Sequence, residues 1–127
     1  MTYTAKWFVA SAPFEDAKAV TVLVEREGAR TQVFKDICDS VLQHLVGPST
    51  LEALGYQHTA AAIQNRIPSN KKIRSGDLGE IVATDWIDGT GPFSIPLKRL
   101  KYKDDRDTAM RGDDFIGLDL TSSPIRV

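Results

Sequence analysis

A chain of 127 residues, 42% hydrophobic and 26% charged, is long enough to bury one core but short for a catalytic domain with accessories. Its formal net charge of -1 excludes a strongly polyanion-coating protein, so contact with nucleic acid has to come from local basic patches. Cys38 is the single cysteine, which excludes a disulfide framework and a Cys-rich zinc site; in its apolar stretch it is expected as a small buried hydrophobe.

The first residues lack a basic segment followed by an apolar core, so no secretory signal is read there. No apolar run approaches the roughly 18 residues that span a bilayer; the expectation is a cytoplasmic protein with no membrane contact. Residues 6–12 read as a first strand closed by Pro13. The branched run from Ala19 to Glu25 reads as a second strand, with one helix over residues 14–27 as the alternative. Gly28 breaks either. Over residues 29–46 the apolar residues Val33, Phe34, Ile37, Val41, Leu42 and Leu45 recur in steps of three and four, the pattern of an amphipathic helix that Gly47-Pro48 stops. Short helices are expected over residues 50–54 and 57–66, and Pro68-Ser69-Asn70 ends that region.

Lys71-Lys72-Ile73-Arg74 reads as a basic linker into a helix over residues 75–88, where Asp77 and Glu80 have capping-box spacing. On that helix Asp85 falls on the side of Ile81 and Val82, and therefore needs a hydrogen-bond partner or a wet edge. Phe93 to Leu97 reads as a strand that Pro96 confines to an edge or bend. If the strand continues, Arg99, Lys101 and Lys103 alternate with Leu100 and Tyr102 and share one face. Such a face suits nucleic-acid backbone, or else protects a sheet edge with charge. An acidic turn, Asp104 to Asp107, precedes a strand over residues 113–120, whose entrance Arg111-Gly112-Asp113-Asp114 carries carboxylates of the kind that hard cations take as ligands. Gly-Asp-Asp is equally ordinary turn chemistry. His44 and His58 have no Cys or His neighbours that would make zinc ligands of them.

The succession Gly76-Asp77-Leu78-Gly79-Glu80-Ile81, then Pro96-Leu97-Lys98-Arg99-Leu100 with Tyr102-Lys103, then Arg111-Gly112-Asp113-Asp114-Phe115-Ile116-Gly117, resembles the HamA family, the effector of the Hachiman anti-phage defence system. That resemblance implies a divergent PD-(D/E)xK nuclease: an α/β (α+β mixed) fold with a central mixed sheet flanked by helices. In such a core Glu80 matches the acid on the helix and Asp114 the strand aspartate, with Asp113 as the alternative register; both would help hold Mg²⁺. Arg99, Lys101 and Lys103 would contact DNA backbone, and the implied partner is a HamB-like helicase that restrains the nuclease.

One part of the family pattern is absent. Downstream of Asp114 there is neither Glu nor Lys, and Asp119 is followed at the lysine position by Thr121. The resemblance places the acid-x-Lys motif on a strand that begins at Ile125. The expectation is therefore a single domain over 1–127, with a mixed prelude at 1–70 and a partial nuclease core at 71–127, inactive by itself and open to self-association along an unpaired sheet edge. The alternative is a non-catalytic DNA- or partner-binding module that keeps the fold.

Overall fold

A computed structural model describes residues 2–11, 21–46, 53, 55, 61–111, 115–124 and 127. In chain order the elements are helix α1 (Tyr3–Trp7), strands β1 (Phe8–Ser11) and β2 (Val22–Glu25), helix α2 (Ala29–Leu45), helix α3 (Lys71–Thr90), strand β3 (Phe93–Ser94), a 3-10 turn (Arg99–Tyr102) and strand β4 (Leu118–Asp119). Residues 61–66 are also helical. The fold is mixed α/β.

Helix α2 follows from its apolar spacing. Val33, Ile37, Ser40, His44 and Leu45 are buried along one face, the stripe that a period of 3.6 residues puts on one side. Gly28 starts it with a φ of 69°, a left-handed conformation that a side chain would disfavour. On α3 the buried positions are Asp77, Ile81 and Thr84, again one face, but two of the three are polar. Two apolar clusters fill the space between the helices. One joins Trp7, Ala29, Val33 and Ile37; the other joins Leu45, Val46, Ile81 and Leu100. Val41 touches both. Ile81 and Leu100 are each 1% exposed, so burying these two side chains contributes roughly 1.5–3 kcal/mol apiece. Where α3 ends, a Cβ on Gly89 would lie 2.5 Å from Thr2 Cγ2, so the missing side chain lets the helix approach the start of α1.

The strands form two separate antiparallel ribbons. In one, Phe8 pairs with Glu25 and Ser11 with Val22; in the other, Phe93 pairs with Asp119 and Ser94 with Leu118. Among the described residues there is no central mixed sheet, so the restriction-endonuclease-like core is not what these elements display. The first strand begins later than its sequence implies because Thr2 caps a helical turn, its hydroxyl accepting from Ala5 N at 3.4 Å. Ala19 and Val20 lie outside the described residues, as do most of the short helices expected over 50–66 and the strand entrance at 112–114. Cys38 is exposed and not buried: it follows Ile37 on α2, and one step of about 100° carries it off the core face.

Two differences concern the site. Residues 71–74 are no linker but the first turn of α3, which starts at Asn70. The Asn70 side chain accepts from Lys72 N at 2.9 Å and Ile73 N at 3.3 Å, taking up two of the backbone donors a helix start leaves free. Asp77 and Glu80 are consequently interior residues of the helix and cap nothing. Second, residues 99–102 form a 3-10 turn where a strand was expected, so period-two alternation no longer decides where their side chains point.

Candidate functional site

Helix α3 carries Asp77, Glu80, Asp85 and Asp88 along the flank that meets the segment after β3. That segment answers each acid with a cation, in reverse order. Lys103 Nζ donates to Asp77 at 2.9 and 3.1 Å. Arg99 spans Glu80 with two parallel bonds, Nε to Oε1 and Nη2 to Oε2, both 2.9 Å. Lys98 Nζ lies 3.3 Å from Asp85 Oδ1 and 3.5 Å from Asp88 Oδ2. The basic run thus supplies counter-charge to α3, and the 3-10 turn is what brings Arg99 and Lys103 onto the helix.

Asp85 is the centre of a polar network inside the fold. Its Oδ2 accepts from the Tyr3 hydroxyl at 2.9 Å and from the Ser40 hydroxyl. His44 Nε2 donates to Oδ1 at 2.9 Å, because an ionised carboxylate offers only acceptors. Burial pushes the Asp85 carboxyl upward. Hydrogen bonds from His44, Ser40 and Tyr3, with the charge attraction of His44, outweigh that and hold it well below the usual carboxylate range. Burial raises the Tyr3 phenol, and the Asp85 charge raises it further against the lowering effect of Ser40. The sequence demanded a partner for Asp85; the structure supplies four side chains.

This network is not a hydrolase triad. Ser40 and His44 both face the carboxylate, and no hydrogen bond joins them among the described residues, so the imidazole is not set to take the serine proton. It borders a polar cavity of about 530 Å³ whose lining includes Lys6, Asp36, Ser40 and Asp85.

Glu80 faces a different space, a groove of about 390 Å³ lined by Lys72, Gly76, Gly79, Arg99, Met110 and Phe115 among others. Glu80 and Arg99 side chains are 13% and 14% exposed. Asp113 and Asp114 lie outside the described residues. Lys101 is half-buried with its ammonium 5.0 Å from the Tyr102 ring, and Lys103 is buried. Arg99, Lys101 and Lys103 therefore do not form the shared solvent face that alternation on a strand implies. Asp119 Oδ1 accepts from Thr121 N at 3.0 Å and Thr121 Oγ1 at 2.6 Å, a local turn that occupies the carboxylate. The hydroxyl and backbone hydrogen bonds from Thr121 hold that carboxyl below its ordinary value.

As arranged, the described residues do not fit a metal ion. Among them no group of three or more His, Cys, Asp or Glu side chains is placed to hold one, and Arg99 takes both oxygens of Glu80. Nor is any described helix long and apolar enough to cross a membrane.

Nothing among curated proteins or solved structures matches the chain. A family model for HamA matches residues 4–127. With nearly the whole chain covered, the protein belongs to the HamA family, the family of Hachiman anti-phage defence.

Proposed function

We propose that this protein is an anti-phage defence protein of the nuclease-effector type, on a divergent PD-(D/E)xK core, which works with a HamB-like helicase and whose Mg²⁺-dependent cleavage of DNA requires a form that also carries the acid-x-Lys motif absent from these residues. Beside the family match, one observation carries the reading: Glu80 opens on a groove that Phe115 also lines, and Phe115 follows Asp114 in sequence. A helix acid and the residue that follows Asp114 in sequence thus share one space. Glu80 and Asp114 are the residues that would hold the cation, with Asp113 as the alternative to Asp114. Bound there, Mg²⁺ would lower the pKa of a water and balance charge on the phosphate. Arg99 is the described cation closest to that chemistry. Its planar fork matches phosphate as well as carboxylate.

A second reading has its own support. Saturated pairs at Asp77 and Glu80 are also what a non-catalytic partner-binding module would keep to hold its fold. One experiment separates the two. With a form that carries the acid-x-Lys motif expressed beside a HamB-like helicase in a phage-challenged host, Glu80→Gln and Asp114→Asn are each expected to lower protection at least tenfold, while Lys35→Gln on the exposed face of α2 leaves it unchanged. Full protection by both acid variants, at wild-type protein level, would establish the non-catalytic module.

A further inference from the structure

The first turn of α3 carries Lys71, Lys72 and Arg74, all exposed. Cations are unfavourable at that end of a helix, where the backbone dipole is positive. None of the three is paired with an acid among the described residues: Arg74 reaches the carbonyl of Ser69 at 3.2 Å, and the nearby Asp107 is taken up by Ser69 and Asn70. The fold does not account for this charge. The same helix bears a second cost without a structural return. Gly76 and Gly79 sit in its interior, where glycine is a poorer helix former than alanine. Neither takes a left-handed φ, and a Cβ built on either would meet nothing within 4 Å. Backbone conformation and packing would both accept a side chain at these positions.

The two features meet in one place. Lys72, Gly76, Gly79 and Ala83 follow one another at steps of four, three and four residues, so they share one side of α3, and together they line the groove of about 390 Å³. At 1.5 Å per residue that line is roughly 16 Å long. The acids of the groove do not face an incoming anion as bare charges, because Lys103 holds Asp77 and Arg99 holds Glu80. The charge left unanswered is positive. It comes from Lys72 in the groove, from Lys71 one step round the helix, and from exposed Arg111, which follows the lining residue Met110 and pairs with no acid among the described residues.

We infer that this groove seats one strand of DNA. Its phosphates are held by Lys71, Lys72 and Arg111, and the glycine floor lets the sugar-phosphate chain lie against the α3 backbone, where a larger side chain would hold it off. Contacts of this kind fix the position of a strand and are indifferent to its base sequence. The surface is separate from the run of Arg99, Lys101 and Lys103, whose cations meet α3 and the Tyr102 ring. The inference rests on the reading of the protein as one that acts on DNA, and does not depend on where a metal ion is held.

The test is fluorescence anisotropy of a labelled oligothymidylate strand titrated with the purified protein at several salt concentrations, the fold being checked by circular dichroism. Wild type is expected to bind this strand and not one whose linkages are uncharged methylphosphonates. Changing Lys71→Gln and Lys72→Gln together is expected to weaken binding at least fivefold at low salt. It should also lower the slope of log affinity against log salt by about 1.4, two phosphate contacts at about 0.7 each on a single strand. Gly79→Leu is expected to weaken binding at least tenfold while melting no lower than wild type, since leucine is the better helix former. Gly79→Ala, which serves if the leucine variant does not fold, is expected to fall between. Lys35→Gln on the exposed face of α2 should change nothing. No binding by wild type, binding of the methylphosphonate strand, or affinity unchanged by either the lysine pair or the Gly79 variants overturns the inference. So does a HamB-like helicase that wild type retains and Gly79→Leu releases while both bind DNA equally, which would make the groove a protein-docking face. The two levels fail differently. If the Glu80 and Asp114 variants lose phage protection but DNA binding ignores the lysine and glycine changes, only the groove falls; if DNA binding behaves as expected and those acid variants protect fully, the catalytic reading falls and the groove stands.

Discussion

Asp85→Ala is expected to destabilise the protein by roughly 3–5 kcal/mol, the cost of breaking a buried charge pair and leaving its partners unsatisfied. The Tyr3 and Ser40 hydroxyls, the His44 ring and the Lys98 ammonium all converge on that carboxylate, and alanine offers none of them an acceptor. Asp85→Asn keeps the shape and one acceptor oxygen but loses the charge, so a smaller loss, about 1–3 kcal/mol, is expected. Urea denaturation of the three proteins measures both. A loss under about 1 kcal/mol for the alanine variant would show that the network does not hold α1, α2 and α3 together. The network also sets an acid limit. Because the folded carboxyl is held below its unfolded value, near 4, its contribution is complete above that pH and fades as pH falls toward the folded value. Wild-type stability is expected to drop below about pH 4, and the Asp85→Asn protein to show a flatter profile there.

Lys103→Ala is expected to cost a similar amount, about 3–5 kcal/mol. It strands the buried carboxylate of Asp77 and removes the bond to Arg106 O. Replacing both partners with apolar residues, Asp77→Leu with Lys103→Met, is expected to cost much less than the sum of the single changes. A pair of buried charges contributes little net stability over a packed apolar pair, while half of one is expensive. The coupling shows in a double-mutant cycle. Additive losses would mean that the two side chains act independently in solution.

How much of this was legible in the sequence depends on the range of the interaction involved. The α2 stripe was readable because Val33, Ile37, Val41 and Leu45 report a local period. So was the demand of Asp85 for company, since an acid beside Ile81 has to be satisfied somewhere. Its partners were not readable: Tyr3, Ser40 and His44 are brought in by tertiary packing, separated from Asp85 by 82, 45 and 41 positions. The true start of α3 is hidden in the sequence for a related reason. Ser75 with Asp77 and Glu80 looks like a capped helix start, but Asn70 wins the position because Asp107 steadies it, accepting from Asn70 N at 2.8 Å and Ser69 Oγ at 2.5 Å. Lys71, Lys72 and Arg74 look like linker residues because cations are unfavourable at the positive end of a helix dipole, where the Asp107 carboxylate that accepts from Asn70 N is favourable. Alternation in the basic run from Lys98 to Lys103 implies a strand, whereas its conformation follows the acids of α3. Family resemblance singles out Glu80 as a metal ligand; the paired hydrogen bonds it accepts from Arg99 are a tertiary contact that the resemblance does not contain.

The β1–β2 ribbon has a consequence for motion. It is a pair of four-residue strands with no third strand among the described residues, and Val9, Val22 and Val24 on it are exposed. A two-stranded ribbon by itself is at best marginally stable in water. What tethers this one lies at its base, where Trp7 Nε1 donates to Glu25 Oε1 at 2.8 Å and Arg26 N to Trp7 O at 2.9 Å. Its far end, at Ser11 and Val22, lacks such anchors among the described residues. The protein is therefore expected to open in more than one step. Amides of Ala10, Ser11 and Leu23 are expected to exchange with solvent deuterium through local fraying, while those around Val33 and Ile81 wait for opening of the helical core. Uniform protection across both would show that the ribbon is clamped along its whole length.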